Sequence, residues 1–224
     1  GAAHYVSNVI LKNKKKNIIF NNYLGPSFSN NEVINKLNRY GIKYRISKNI
    51  SSDAAEAISK GKIIAWFQGS LEFGDRALGN RSILADPRDS KMKDSINKKI
   101  KFRENFRPFA PAILEENTKD FFENYENSYF MEKALKIKIN KRSLIPAVTH
   151  EDGSGRLQTV NKIYNKKFYE LINEFYNITN IPLLLNTSFN IQGEPIVCSV
   201  EDAIKNFYLS GLDELYIENC IIKK

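Results

Sequence analysis

The chain has 224 residues, of which 42% are hydrophobic and 26% are charged, and its net charge at pH 7 is +9. This length supports one large or two small domains around a buried core, and the composition is that of an ordinary globular protein. No stretch approaches the roughly 20 apolar residues that cross a bilayer, and the first residues lack the layout of a signal peptide. We therefore expect a cytoplasmic protein that has no membrane contact.

The basic residues and the two cysteines exclude further classes. Many lysines fall in surface segments such as residues 14–16 and 136–142, and a basic chain can bind the phosphates of nucleic acid. The sequence has no RNP, helix-turn-helix or zinc-finger pattern, so nucleic acid is not an expected partner. Cys198 and Cys220 lie in apolar surroundings, which favours free thiols over a disulfide framework or a zinc site.

Capping residues and turn signals divide the first half of the chain into helices and short strands. Ser29 and Glu32 form a capping box for a helix over residues 30–40, which Gly41 ends. The other elements predicted in this half, in chain order, are a strand over residues 18–23, a strand over 43–46, a helix over 53–60 capped by Ser52, a buried strand over 62–68 and a helix over 90–100 capped by Asp89.

The second half continues this alternation. An apolar face of Phe168, Leu171, Ile172 and Phe175 predicts an amphipathic helix over residues 165–177. The other elements are a strand over residues 109–114, a short helix over 117–122, strands at Val148 and over 157–159 around a Gly-rich turn, a strand over 181–185, a helix over 200–210, and strands over 215–217 and 221–222. This order indicates an α/β protein with a mixed, twisted sheet.

Residues 67–111 concentrate basic side chains among glycines, prolines and aromatic residues. A solvated basic helix face would repeat with helical periodicity and carry compensating acids, and this segment does neither. Its cations are Arg76, Arg81, Arg88, Lys101, Arg103 and Arg107. Arginine presents a planar fork of donors that matches phosphate and carboxylate geometry. The segment therefore predicts a pocket for a small polyanion, with Arg81 and Arg88 holding loops through carboxylates such as Asp86 or Asp89.

Glycines follow the buried strand predicted over residues 62–68. Gly69, Gly74 and Gly79 would let the backbone approach a ligand closely. The carboxyl end of a strand is also where α/β folds place their ligands. The alternative is an ordinary turn-rich connection in which Arg76 is a surface ion.

Two further clusters contribute to the predicted pocket. Lys101 and Arg103 would face one side of an extended segment, with Phe102 toward the core; the alternative is a basic edge strand. Residues 186–190, Asn-Thr-Ser-Phe-Asn, follow an apolar strand and offer neutral donors to phosphate oxygens. The alternative for this cluster is a helix cap or an Asx turn. Arg156 is a further candidate cation.

The signatures of covalent and metal catalysis are missing from the sequence. His150 fits a structural role as well as a catalytic one. The two histidines and two cysteines lack the spacing of a metal site, and neither a catalytic triad nor a P-loop pattern is present. Electrostatic positioning of an anionic substrate is therefore the mechanism that these residues support, and no protein-built metal site is expected.

Five motifs in order carry a family resemblance. They are FQGSLEFGDRALGNRSILADPR, NKKIKFRENFRPFAPAILEE, PAVTHEDGSGRLQTV, PLLLNTSFNIQGEPIVCS and EDAIKNFYLSGLDELYIENCII. Together they resemble the C-terminal domain of NodU/CmcH-type O-carbamoyltransferases. The resemblance implies a YrdC-like α/β fold, an open twisted mixed sheet with flanking helices, over residues 23–224. Residues 1–22 are similar to the tail of that family's preceding actin-like domain and its linker.

The resemblance also implies an activity. In the family, carbamoyl phosphate and ATP, with Mg²⁺, give carbamoyladenylate and pyrophosphate in this domain. The N-terminal domain then transfers the carbamoyl group to a hydroxyl of a sugar or natural product. The residues carried over to this sequence are Arg76 and Lys101 as catalytic groups, Arg76, Lys101, Arg103, Arg107 and Arg156 for the donor and adenylate phosphates, and Asn186, Thr187, Ser188 and Asn190 for the nucleotide. The alternative function is a non-catalytic nucleotide- or RNA-binding module.

One position departs from the family pattern. The family's Gly-Pro-Arg is Gly74-Asp75-Arg76 in this sequence. We expect the loss of proline to loosen the loop and the aspartate to place a carboxylate beside the key arginine.

Overall fold

The structure, a computed structural model, describes residues 2–13 and 21–224. Its strands are β1 (Arg45–Ile46), β2 (Ile64–Phe67), β3 (Arg81–Ala85), β4 (Ala110–Leu114), β5 (Lys133–Lys136), β6 (Ser154–Val160), β7 (Leu183–Ser188), β8 (Glu214–Ile217) and β9 (Cys220–Lys223). They form one sheet in the order β1-β9-β8-β2-β3-β7-β4-β6-β5. The pairs β2–β8 and β4–β6 are parallel, and the other pairs are antiparallel. The predicted mixed sheet is confirmed.

Helices and helical turns connect these strands. They are Ala2–Tyr5 with its π-helical continuation Val6–Ile10, Asn30–Arg39, Ile50–Ser59, Met92–Ile96 with its π-helical continuation Asn97–Lys101, the 3₁₀ turn Glu115–Asn117, Thr118–Phe121, Ile139–Arg142, the 3₁₀ turn Pro146–Val148, Lys166–Thr179 and Val200–Leu209. Among the helices of residues 2–13 and 21–224, none has the length and apolar character that a bilayer crossing requires.

The core forms where apolar strands meet the apolar faces of helices. β2 is buried along its whole length, as its continuous apolar run predicts. The helix Lys166–Thr179 buries the four apolar side chains that its periodicity turns inward and packs against the helix Ile50–Ser59. The capping box of Ser29 and Glu32 is present at the start of the first long helix. Local pattern and tertiary packing therefore agree in these elements.

Two predicted helix caps are wrong. The helix Ile50–Ser59 is capped by Asn49, whose Oδ1 accepts a hydrogen bond of 3.2 Å from the backbone N–H of Ser52. Asp89 instead closes a turn, because its Oδ1 accepts from the backbone N–H of Lys91 at 2.9 Å before the helix Met92–Ile96 begins. In both places several polar residues lie near the helix start, and their order alone does not decide which one caps it.

The local sequence patterns do not indicate β3 or β5. β3 lies inside the arginine-rich segment and is buried along its whole length, so its arginine points into the protein. Val148 belongs to a 3₁₀ turn rather than a strand, and β6 pairs with β5 instead. Most of the strand predicted over residues 18–23 lies outside the described residues, and residues 21–23 form no strand.

The segment Lys101-Phe102-Arg103 is not extended. Lys101 ends a π-helical turn, and Phe102 has left-handed backbone dihedral angles, with φ at 44°. The Phe102 side chain is 56% exposed, so the prediction that it faces the core is wrong. This turn sends Lys101 and Arg103 toward different surroundings.

Candidate anion-binding site

Four arginines from three segments line one cleft of about 470 Å³. Arg76 comes from the loop between β2 and β3, Arg103 and Arg107 from the segment before β4, and Arg156 from β6. Four positive groups around one small volume repel each other unless an anion neutralises them. The cleft is therefore suited to a ligand with several negative charges.

The loop that carries Arg76 folds around the buried carboxylate of Glu72. The Oε1 atom of Glu72 accepts hydrogen bonds from the backbone N–H groups of Leu78, Asn80 and Arg81 at 2.7, 2.6 and 3.1 Å. Burial is the main cause that raises the pKa of Glu72. The Glu72 carboxylate thus fixes the path of the chain just after Arg76. The sequence does not indicate this role.

Asn97 holds the segment that carries Arg103 and Arg107. Its side-chain oxygen accepts from Nε of Arg103 at 2.7 Å, and its amide nitrogen donates to the carbonyl of Arg107 at 3.2 Å. The Arg103 guanidinium also lies 4.8 Å from the centre of the Phe109 ring. Burial first, and then the charge of Arg107, lower the pKa of Arg103. The sequence does not indicate this role of Asn97, because the contacts of Asn97 depend on the left-handed turn at Phe102.

The carboxyl end of β7 supplies a polar wall. Asn186, Thr187 and Ser188 line the cleft. The side-chain nitrogen of Asn186 donates to Oε1 of Gln158 at 2.8 Å and to the carbonyl of Ala77 at 3.2 Å. β7 is thereby tied to β6 and to the loop that carries Arg76.

Lys101 and Asn190 are not among the residues that line the cleft. The Nζ atom of Lys101 donates to Oδ1 and to the carbonyl of Asn190 at 2.7 and 3.0 Å, and also to the carbonyl of Ser188. Burial first, and then Arg103 and Arg107, lower the pKa of Lys101 to about 7. In this structure Lys101 therefore supports the turn behind the polar wall.

The other two arginines of the segment, Arg81 and Arg88, stabilise the fold. Arg88 pairs with the buried Asp86 through Nε and a second nitrogen, as predicted. Among the described residues, no carboxylate contacts the guanidinium of Arg81, contrary to prediction. Its guanidinium stacks 3.5 Å from the centre of the Phe67 ring and donates to the carbonyls of Gln68, Asn80, Pro26 and Gly69.

His150 also borders the cleft. Its Nδ1 lies 3.2 Å from Oγ of Ser154, which itself donates to Oδ1 of Asp152 at 2.6 Å. The Ser154 hydroxyl hydrogen is thus engaged, and Nδ1–H of His150 donates to its oxygen. Burial is the main cause that lowers the pKa of His150, which favours the neutral ring.

The cleft offers little to a resident metal ion. Within residues 2–13 and 21–224, no group of three or more His, Cys, Asp or Glu side chains is placed to hold a metal. Asp75 borders the cleft, but its carboxylate lies 3.4 Å from the guanidinium of Arg76. These residues do not fit a metal site built by the protein, and the substituted aspartate lies beside the arginine as expected.

Sequence comparison identifies the family. The profile of the family described as "Carbamoyltransferase C-terminus" matches residues 55–224. The chain belongs to this carbamoyltransferase family.

This chain is 44% identical over its whole length to nodulation protein NolNO of Sinorhizobium fredii, of which it covers 34%. It is 41% identical over its whole length to nodulation protein NolO of Bradyrhizobium diazoefficiens, of which it covers 42%. The chain thus spans 34% and 42% of the length of these two curated relatives.

Solved structures share its fold. Full-length HypF in its phosphate- and nucleotide-bound form superposes with a TM-score of 0.53 and 19% identity over 77% of this chain and 25% of HypF. HypF of T. kodakarensis superposes with a TM-score of 0.51 and 19% identity over 74% of this chain and 20% of that protein. The predicted α/β fold, a YrdC-like open sheet with flanking helices, is confirmed.

Proposed function

We propose that this carbamoyltransferase domain makes carbamoyladenylate from carbamoyl phosphate and ATP. The observation that carries the proposal is the convergence of Arg76, Arg103, Arg107 and Arg156 on one cleft. Both substrates are polyanions, and their reaction places negative charge on a phosphate that changes partners. Arginines held by Glu72 and Asn97 would stabilise that charge without rearranging.

The reaction balances with one water molecule. Water forms a bond to the phosphorus of carbamoyl phosphate, the bond from that phosphorus to the carbamoyl oxygen breaks, and inorganic phosphate and carbamate result. An oxygen of the carbamate then forms a bond to the α-phosphorus of ATP. The bond from that phosphorus to the bridging oxygen breaks, and pyrophosphate leaves with the electron pair. Arg103 and Arg107 would bind the phosphates, whereas Lys101 would act by holding Ser188 and Asn190 in place.

Mg²⁺ is expected to arrive with ATP. Because residues 2–13 and 21–224 offer no cluster of metal ligands, the phosphate oxygens and water would coordinate the ion, as is usual for Mg²⁺. Its charge would offset that of the triphosphate.

The carbamoyl group would then pass to an acceptor outside this domain. Relatives of which this chain covers 34% to 42% have room for the actin-like partner domain that the family resemblance implies. That domain would transfer the carbamoyl group to a hydroxyl of a sugar or natural product. Acceptor carbamoylation is thus proposed for the longer protein.

The proposal is tested by pyrophosphate release from ATP in the presence of carbamoyl phosphate. We expect release that depends on both substrates, and loss of it in Arg103→Ala and Arg107→Ala. Calorimetry should show 10- to 100-fold weaker binding of ATP to these variants, since hydrogen bonds to charged groups contribute about 1.5–3 kcal/mol.

Arg39→Ala is the matched control, because it removes the same charge from an exposed helix end. The proposal is wrong if the wild-type chain binds ATP and releases no pyrophosphate with carbamoyl phosphate. That result, combined with RNA binding that weakens steeply with salt, would favour the alternative of a nucleotide- or RNA-binding module.

A further inference from the structure

The hydrogen bonds of two side-chain amides at the cleft fix their orientation. Nε2 of Gln158 donates to the carbonyl of Leu78 at 2.8 Å, so Oε1 of Gln158 faces Asn186. Nδ2 of Asn186 then donates to that oxygen at 2.8 Å and to the carbonyl of Ala77 at 3.2 Å. Backbone carbonyls only accept hydrogen bonds, and rotating either amide by half a turn would oppose two acceptors.

This orientation leaves one polar atom of Asn186 without a partner. Its Oδ1 is buried and accepts no hydrogen bond from the residues that the structure describes, and the residue is 1% exposed. Both of its N–H hydrogens are engaged, yet Asn186 lines the same cleft as the four arginines. A buried acceptor without a donor lowers the stability of the fold. A ligand group that donates a hydrogen bond to Oδ1 would remove this penalty.

Carbonyl oxygens and ionised phosphate oxygens carry no hydrogen, so Oδ1 does not bind the ionised oxygens of a ligand. Carbamoyl phosphate carries an amino group separated from its phosphorus only by the carbonyl carbon and one oxygen. One small molecule can therefore place its phosphate on the arginines and its N–H on Oδ1. An adenine amino group lies much farther from its phosphates.

We propose that Oδ1 of Asn186 accepts a hydrogen bond from the amino group of the carbamoyl donor, and so selects carbamoyl over other acyl phosphates. This assignment rests on the proposed function and names the group that confers its substrate specificity. It differs from the sequence-based prediction, in which Asn186 contacts the adenylate phosphate. Acetyl phosphate is the informative competitor, because a methyl group replaces the amino group in a molecule of nearly equal shape.

Calorimetry with carbamoyl phosphate, acetyl phosphate and inorganic phosphate tests the assignment. We expect the wild-type chain to bind carbamoyl phosphate about 10-fold or more tightly than acetyl phosphate, since a site that hydrogen-bonds its substrate rejects analogues that leave the site unpaired. Asn186→Ala should bind both acyl phosphates with similar affinity, whatever affinity for phosphate is lost with the hydrogen bonds to Gln158 and Ala77. Arg39→Ala, at an exposed helix end that does not line the cleft, should keep the preference.

The wild-type comparison needs no variant, so it decides the question even if Asn186→Ala fails to fold. If pyrophosphate is released with carbamoyl phosphate but acetyl phosphate binds equally well, the assignment of Asn186 is wrong and the proposed function stands. A preference that persists in a folded Asn186→Ala chain would also overturn the assignment. If carbamoyl phosphate binds no better than inorganic phosphate and no pyrophosphate forms, both proposals fail.

Discussion

Nζ of Lys101 donates a hydrogen bond of 2.7 Å to Oδ1 of Asn190. The two residues are 89 positions apart, and together they join the π-helical turn before Arg103 to the turn after β7. A buried amine that donates to several oxygen acceptors holds these turns in register. The polar wall of the cleft therefore depends on a lysine that lies outside it.

The first prediction concerns the pH dependence of anion binding. Arg103 and Arg107 help to lower the pKa of Lys101 to about 7, and an anion bound to these arginines would weaken that repulsion. The pKa of Lys101 then rises on binding, a proton is taken up, and affinity falls as the pH rises above about 7. Sulfate is the probe, because it does not titrate in this range, and calorimetry in two buffers measures the proton uptake. Lys101→Met should show no uptake, and equal uptake in both proteins would contradict the prediction.

The second prediction concerns Glu72. Glu72→Ala leaves three backbone N–H groups of the Arg76 loop without their acceptor, and we expect it to lower the free energy of unfolding by about 3 kcal/mol. Glu72→Gln keeps an acceptor oxygen and should have a smaller effect. Urea denaturation measures both variants. Equal losses for the two would show that the shared oxygen does not stabilise the loop.

The same residue gives stability a pH dependence of known sign. Burial raises the pKa of Glu72 in the folded state. At pH values between the unfolded and the folded pKa, the carboxyl group therefore stays protonated in the folded protein and is ionised in the unfolded chain. The contribution of Glu72 is therefore largest at low pH and is lost as the pH rises through the folded pKa. Glu72→Gln should flatten this part of the stability profile.

The third prediction concerns Gly79, which has φ at 101° and lies against Phe168. A Cβ atom at this position would lie 2.1 Å from Cδ1 of Phe168, so Gly79→Ala adds a steric clash to the strain of a left-handed backbone. We expect a loss of about 3 kcal/mol or more in the free energy of unfolding. Gly193→Ala is the control, because Gly193 also has positive φ but no atom within 4 Å of the added Cβ. Its loss should be about 1 kcal/mol, and equal losses in chemical denaturation would contradict the role of Phe168.

The fourth prediction separates the two structural arginines. Arg81→Lys keeps a positive charge but loses the planar fork that stacks on Phe67 and reaches four carbonyls. We expect it to lower the free energy of unfolding by about 2–3 kcal/mol. Arg88→Lys retains an ion pair with Asp86 at a partly exposed site. Its free energy of unfolding should fall by less than about 1 kcal/mol. Thermal denaturation compares the two, and the reverse order would show that stacking and carbonyl contacts contribute little.

Much of the fold follows from local patterns. The first long helix begins at the capping box of Ser29 and Glu32, and β2 forms from a continuous apolar run. The sequence does not indicate β3, because this strand begins with an arginine that is buried among carbonyl groups, and its residues therefore lack a continuous apolar pattern. The sequence also predicts the wrong position for Phe102. The prediction of an extended segment depends on alternating side chains, and the left-handed backbone of Phe102 interrupts that alternation.

The sequence by itself determined the family, the mixed α/β sheet and the presence of several arginines suited to phosphate. These depend on motif identity, on periodicity and on the chemistry of single side chains. Only the tertiary structure decided that Arg156 lines the cleft whereas Lys101 lies behind it, and that Asn186 presents an acceptor rather than a donor. Such distinctions depend on contacts between residues distant in the chain, because a partner such as Gln158 decides which atoms of a polar group stay free for a ligand.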